Sequence, residues 1–467
     1  MRFAWVLMAL VAAGAVQAQT ATVNERLRLI EQRDRDVAEV PAYLQLPKPP
    51  GLAFDWGGWV TAANLGLHNE NHNSKSLENT SNIFLEDTRL WFSGEASDAI
   101  TYYVRVRHQE YIQSINAGGT PSDLAQQEGV QLDQAFVDVK VNKQVEARVG
   151  RQFTKIGRGL ALALDLDAAH VEYHDTQWHH RAFVGRSLAR DPGLDTSITG
   201  STQGNAHYDF LGGESRLYAR SGRQFYLYAL VEQDESKSLA PAQARLDFSY
   251  DARYFGFGSE GRIDPMLNYF FEVVGEGGTT LQGLPPFLRE PISAYAATSG
   301  LQYYPNWFWK PTVSLELSMG SGNRFRTSVT NTFSGGNPAP VADENFLYFG
   351  AYDGGLALSP RLSNLVVARL GYQVKPLPAG HDLLPELSLG ATASKYWRDH
   401  VTGAISDTLA TVPDADVGTA LDVYAAARPL SDLSMLLQYG RFEPGRAYTP
   451  DAREANYRVF ATATQSF

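Results

Sequence analysis

Asn456–Phe467, reading NYRVFATATQSF, closes the chain and decides its fold. Read with period two, Tyr457, Val459, Ala461, Ala463 and Phe467 share one face, interrupted only by Gln465. Arg458, Phe460, Thr462, Thr464 and Ser466 share the other. Such a strand suits lipid on one side and a wet lumen on the other. The sequence therefore predicts an all-β protein, a transmembrane antiparallel barrel. Its partners are expected to be outer-membrane lipid and the barrel-insertion machinery, which reads a final strand ending on an aromatic such as Phe467.

The opposite end agrees with export. Met1-Arg2 is a positive start, Phe3–Gly14 is an uncharged apolar run, and Val16-Gln17-Ala18 places small or modest residues before a cut after Ala18. The run is short for a bilayer span, so residues 1–18 read as a signal peptide. Residues 19–50 are charged, with Leu27, Ile30 and Val37 near helical spacing before Pro41, Pro47, Pro49 and Pro50. They predict a short periplasmic helix or tail and linker, and 51–467 the barrel.

The chain has no cysteine, which removes disulfides, thiol catalysis and covalent haem attachment. With 40 basic and 51 acidic residues the net charge is −11; losing Arg2 makes it 39 − 51 = −12. That total argues against nucleic acid as partner. Aromatics at 12% and 41 glycines suit interfacial girdles and twisted strands.

From Gly51 onward, alternating segments are separated by turn residues. Trp59, Thr61, Ala63, Leu65 and Leu67 are expected to form the outer face of the first strand. Thr88, Leu90 and Phe92 alternate with Asp87, Arg89, Trp91 and Ser93; Ile100, Tyr102, Val104 and Val106 alternate with Tyr103, Arg105, Arg107 and Gln109. An arginine in lipid costs about 2–4 kcal/mol near the midplane, so Arg105 and Arg107 are placed in the lumen. Ala135, Val137, Val139 and Val141 oppose Gln134, Phe136, Asp138 and Lys140, and after the Asn142-Lys143 turn Val145, Ala147 and Val149 oppose Glu146, Arg148 and Gly150. Ile112–Glu128, Ser187–Asn205, Gly275–Leu288 and Ser321–Asn337 read as long outer loops. Segments number roughly 16 to 19, and closure asks for an even count, giving about 18 strands with 16 as the fallback.

The tail Gln438-Tyr439-Gly440-Arg441-Phe442-Glu443-Pro444-Gly445 before the final strand resembles the C-terminal signature of the alginate-export family of outer-membrane porins. Val149-Gly150-Arg151-Gln152-Phe153, then Asp165–Tyr173, and the hairpin Asp87–Gly94 are similar to that family's mid-barrel and early strands. The resemblance implies 18 strands in the bacterial outer membrane and an arginine-rich constriction that passes an anionic polyuronate.

The expected channel-lining residues are Arg89, Arg105, Arg107, Arg148, Arg151 and Arg369, with Asp87, Asp138, Glu146 and Glu316 beside them. Arginine meets carboxylates bidentately and stays charged at any relevant pH. The alternative for each is a lumenal ion pair that braces the wall. His179 and His180 adjoin on a strand and point to opposite faces, so no shared metal is expected there. Asp165 and Asp167 lack the remaining oxygen ligands of a calcium loop. No nucleophile elbow, phosphate loop or metal-binding helix motif is present, and neither catalysis nor a cofactor is expected. The function predicted is a channel for hydrophilic, anionic solute or exopolysaccharide. The alternatives are a general porin, or a scaffold barrel enclosing a partner such as a periplasmic electron-transfer protein.

Overall fold

The computed structural model describes residues 54–73, 79–117, 120–188, 207–219, 222–235, 250–281, 288–326, 329, 340–377, 384 and 386–467. The signal peptide and the segment 19–50 lie outside these residues, as does most of the expected loop Ser187–Asn205.

Eighteen strands form one antiparallel sheet. In chain order they are β1 Phe54–His68, β2 Asn79–Ser97, β3 Ile100–Ala117, β4 Thr120–Lys140, β5 Val145–Lys155 and β6 Ala163–His174. Next come β7 Trp178–Ser187, β8 Tyr208–Tyr218, β9 Arg223–Asp234, β10 Tyr250–Asp264, β11 Leu267–Leu281 and β12 Arg289–Tyr303. The last six are β13 Thr312–Gly320, β14 Leu365–Val374, β15 Ser388–Arg398, β16 Asp416–Leu430, β17 Leu433–Pro444 and β18 Asn456–Ser466. Each strand pairs with its neighbours in sequence, and β1 pairs with β18 from Trp59↔Ser466 to His68↔Tyr457. Gly58 and Phe467 exchange both backbone hydrogen bonds at 3.0 Å, so the terminal residue itself completes the seam. The barrel is closed at 18 strands, and the fallback of 16 is discarded.

Short turns such as 141–144, 175–177 and 431–432 alternate with longer connections, placing the start of β1, the end of β18 and the short turns on the periplasmic side. A long connection joins β13 to β14, and its described residues from 340 to 364 fold inward.

Burial separates the two faces. Val137, Val149, Val184, Leu211, Phe255 and Leu437 are exposed on the outer wall, where lipid covers them. The residues alternating with them face inward, and many are buried against the chain's own inserted segments. On β1 the outcome reverses the expectation: Trp59, Thr61, Ala63, Leu65 and Leu67 face the lumen. Thr61 Oγ1 meets Thr464 Oγ1 at 2.9 Å across the seam, and Ala63, Leu65 and Leu67 pack with Ile83, Leu85 and Phe460. Apolarity alone misassigns this strand because Leu356 from the inward-folded connection supplies an apolar surface inside the barrel.

Two expected loops are strand. Ile112–Glu128 belongs mostly to the β3–β4 hairpin, whose ladder runs up to Ala117↔Thr120. Gly275–Leu288 is replaced through Leu281 by β11, paired with β12 up to Leu281↔Arg289. Above the membrane both wall faces are wet, so the backbone ladder persists without apolar alternation.

Leu437 on β17 lies between Ala425 and Ala461 on the outer wall. Leu437→Arg should lower the folding stability of the barrel in lipid vesicles by about 2–4 kcal/mol, read by urea titration, while Gln438→Arg on the lumenal face should cost less.

Candidate functional site: the lumenal constriction

Backbone that leaves the wall and enters the lumen needs new hydrogen-bond partners for its N–H and C=O groups. Carboxylates on the inner wall supply many of them. The inserted connection first adds a short parallel bridge to β12, where Asp343 N donates to Pro291 O at 2.8 Å and Ser293 N to Asp343 O at 2.9 Å. Leu347 N then donates to Glu276 of β11 at 3.0 Å, and the Tyr254 hydroxyl of β10 donates to Leu347 O at 2.9 Å. Further on, Leu356 N and Ala357 N donate to the Asp422 carboxylate of β16 at 3.1 and 3.3 Å. Tyr396 of β15 donates to Gly354 O at 2.7 Å, Arg369 of β14 to Asp353 O at 2.6 Å and Arg458 of β18 to Leu356 O at 3.0 Å. Within about ten residues the insert passes from the β10–β12 arc to the β14–β18 arc, so it crosses the lumen.

The β5–β6 turn enters from a third direction. Gly157 N donates to Glu214 of β8 at 2.6 Å and Arg158 N to Glu272 of β11 at 2.7 Å. The Tyr226 and Tyr228 hydroxyls occupy the other Glu272 positions at 2.8 and 3.0 Å. Gly157 has φ +58, and a Cβ there would stand 2.5 Å from both Glu272 Oε2 and the Tyr228 ring. The turn meets the insert through Phe349 N to Ala161 O at 3.0 Å and Ala351 N to Gly159 O at 2.8 Å. Phe346, Leu347, Tyr348 and Phe349 are buried with Leu160, Leu162 and Tyr208 in one apolar cluster inside the barrel.

The expected arginines on β2 and β3 form a single network. Arg89 binds Asp87 through Nε at 3.0 Å and Nη2 at 2.9 Å, and Arg107 Nε reaches the same carboxylate at 2.8 Å. Arg105 pairs with Asp133, which also lies 3.7 Å from Arg89 Nη1. Both Arg89 and Arg105 lie over the Trp59 ring, at 5.7 and 5.4 Å. Three guanidiniums share these two carboxylates. Arg89 is only 2% exposed and Arg105 8%, so these two brace the wall rather than line open water.

Asp133 was not among the expected residues. Ladder pairing jumps from Arg105↔Gln134 to Val106↔Leu132, so Asp133 is the extra residue of a β-bulge. Strict alternation puts it on the face opposite Gln134; the bulge turns it inward. Nothing in the period-two pattern signals this.

Arg148 faces the lumen, bound to Asp138 and 4.1 Å over the Phe136 ring, and remains 39% exposed at the side chain. Arg369 lies 3.6 Å from Glu316, its cross-strand partner. Glu146 stands in register between Lys140 and Glu172 and makes no ion pair among the described residues. Arg151 is a correction: it shares the face of Val149, points out of the barrel and binds Asp167 at 2.9 Å. Period two outweighs the tendency of charge to turn inward. His179 faces inward to Glu172 at 3.1 Å, whereas His180 faces outward against Trp178, so the pair is divided. No group of metal-ligating side chains occurs among the described residues.

Three outer connections are latched above the insert. His72 Nε2 stands 3.5 Å from Asp407, the Tyr448 hydroxyl donates to Asp407 at 2.8 Å, and the His72 ring meets Tyr448 edge-on. Burial would raise the Asp407 carboxyl, but His72, the Leu409 N–H and Tyr448 hold it below its usual value.

These features define a class: an 18-stranded outer-membrane channel narrowed by its own connections. The sequence profile of the alginate-export family matches residues 68–462, and the chain belongs to that family. No curated protein is similar enough in sequence to count as a relative. Among solved structures, OccK7 (OpdD) of Pseudomonas aeruginosa is similar with a TM-score of 0.56 at 11% identity, over 89% of this chain and 98% of that one. The outer membrane protein OpdK of the same organism gives 0.51 at 10% identity, over 88% and 99%. At such identities the likeness is one of fold.

Asp133→Ala leaves Arg105 buried without its carboxylate and should destabilise the barrel by about 3–5 kcal/mol, read by urea unfolding in vesicles. Because the folded Asp407 value is lowered, its contribution is present above the unfolded carboxyl pKa of about 4 and is lost as pH falls through the folded value. Protease cleavage within 399–415 should stay slow at neutral and mildly acidic pH and rise below about pH 4, whereas Asp407→Asn should be cleaved faster already at pH 7.

Proposed function

We propose that this channel passes hydrophilic anionic solute or acidic exopolysaccharide by diffusion, with selectivity set by the guanidiniums that remain in contact with water inside the lumen. The observation that carries the reading is a division of labour among lumenal charges. Glu214, Glu272, Glu276 and Asp422 accept hydrogen bonds from the backbone of the inserted segments. Arg148 and Arg158 keep side-chain exposures of 39% and 34% while paired to Asp138 and Glu260. A carboxylate already bonded to backbone N–H groups attracts a passing cation less, and a partly wet guanidinium can trade one partner for another as an anion moves by. Arg158 also rests 3.8 Å over the Phe270 ring, which holds its edge in place. Membership of a family described by alginate export, a polyuronate, agrees in sign. The insert occupies the lumen that a scaffold barrel needs for an enclosed protein, which speaks against that alternative.

The test is single-channel conductance of refolded protein in a planar bilayer under a salt gradient, with polyuronate added to one side. Wild type should give an anion-selective reversal potential and current blocked by polyuronate. Arg148→Glu with Arg158→Glu should lower the anion-to-cation permeability ratio about tenfold. An open pore without selectivity or block would replace this reading with a general porin.

A further inference from the structure

The outer wall carries charge where lipid is expected. Arg151 of β5 stands in register with Asp167 of β6, Asp167 with Arg186 of β7, and Arg186 with Asp209 of β8. The row continues past Gln233 of β9 to Asp251 of β10, which Arg289 of β12 reaches at 2.9 Å. All share the faces of Val149, Val184 and Leu211, which are exposed directly beneath. Arg186 grips Asp209 through Nε and Nη2, both at 2.6 Å, and its side chain is 59% exposed with Nη1 pointing free of that pair. Arg253 of β10 is exposed on the same face and makes no ion pair among the described residues.

Height identifies what covers this row. Arg151, Asp167, Arg186 and Asp209 stand six to nine residues from the periplasmic strand ends at Val145, His174, Trp178 and Tyr218. At about 3.3 Å per residue and a tilt of about 40°, that is roughly 15–23 Å, while Arg253 and Arg289, measured from Asp264 and Tyr303, reach roughly 28 and 35 Å. The apolar belt of such a barrel is about 25 Å tall, so the row climbs through the outer boundary of the membrane. Guanidinium and carboxylate groups are costly in hydrocarbon, and polar lipid groups must reach them.

We infer that Arg186, Arg253 and Arg289, with Arg151 at the lower end, form a seat for the phosphate-bearing headgroups of outer-leaflet lipid. Asp209 fixes the Arg186 guanidinium through Nε and Nη2, Asp167 fixes Arg151 the same way while Arg151 Nη1 donates to Leu132 O, and Asp251 takes Nη1 of Arg289. N–H groups outside these bonds, and the exposed Arg253, are available to a phosphate, which accepts a guanidinium fork bidentately.

Binding of bis-phosphorylated lipid A to the detergent-refolded barrel, followed by native mass spectrometry, tests the seat. Wild type should retain lipid A, and the fully dephosphorylated lipid should bind at least about tenfold more weakly. The triple variant Arg186→Glu, Arg253→Glu, Arg289→Glu should lose about tenfold in lipid A affinity while keeping the heat-dependent gel shift of a folded barrel. Single Arg186→Lys should lose less than Arg186→Glu, and lumenal Arg148→Glu should bind lipid A as wild type does. Equal binding by the triple variant, indifference to dephosphorylation, or displacement by inorganic phosphate at comparable concentration would each overturn the inference. So would a wild-type dimer that the triple variant dissolves, since the row would then seat a second copy of the chain.

Discussion

Every backbone N–H and C=O in a lipid-facing wall has to be paired within the wall, because hydrocarbon offers no substitute. The contact between Gly58 and Phe467 is where this chain meets that demand, joining its last residue to its first strand and leaving the sheet without an edge. Closure creates two environments from one sheet, and the alternation of side chains along each strand follows from it. The faces are set by the ladder, so a residue's direction is a property of its register before it is a property of its polarity. That is why Leu65 and Leu67 can point inward, and Arg151 outward, without disturbing a hydrogen bond.

The same demand governs the lumen in a milder form. Connections that fold inside leave the ladder and lose some of their partners, and water is displaced where the apolar cluster around Phe346, Phe349 and Tyr208 forms. Wall carboxylates take over as acceptors at Glu214, Glu272, Glu276 and Asp422, Tyr254 and Tyr396 donate to inserted carbonyls, and Tyr226 and Tyr228 donate to the Glu272 carboxylate. A carboxylate accepts several N–H or O–H donors at once, so one side chain can hold a turn of inserted backbone that a neutral group would hold by a single bond. The acidic content of the lumen is thereby explained by architecture as much as by cargo.

The barrel was legible in the sequence because closure writes its requirement into each strand: alternation, short turns on one side and an aromatic end. Asn456–Phe467 alone displays all but the turns. The network around Arg89, Arg105 and Arg107 was legible in part, since charge on an alternating strand has to avoid lipid. Its second carboxylate, Asp133, was hidden because a bulge changes the phase of β4 by one residue and leaves no mark in composition. The inward face of β1 was hidden for a different reason: the apolar surface it meets comes from Leu356, far away in sequence, and period two reports which residues share a face but not which side that face takes. Arg151 was recoverable in principle. Val145, Ala147 and Val149 had already fixed the outer phase of β5, and the next position in that phase is Arg151.

Arginine consequently serves three purposes in one wall. Arg89 and Arg105 are buried against Asp87, Asp133 and Trp59, where removing one partner strands a charge and the group acts as a brace. Arg148 and Arg158 keep one edge in lumenal water, so their pairs are exchangeable. Arg186 and its neighbours face the membrane boundary, where a carboxylate on the adjacent strand keeps the guanidinium ordered before any ligand arrives. Residue type and pairing are nearly the same in all three places. What differs is the medium on the open side of the pair, and that medium follows from strand register and height, the two quantities that closure of the barrel fixes.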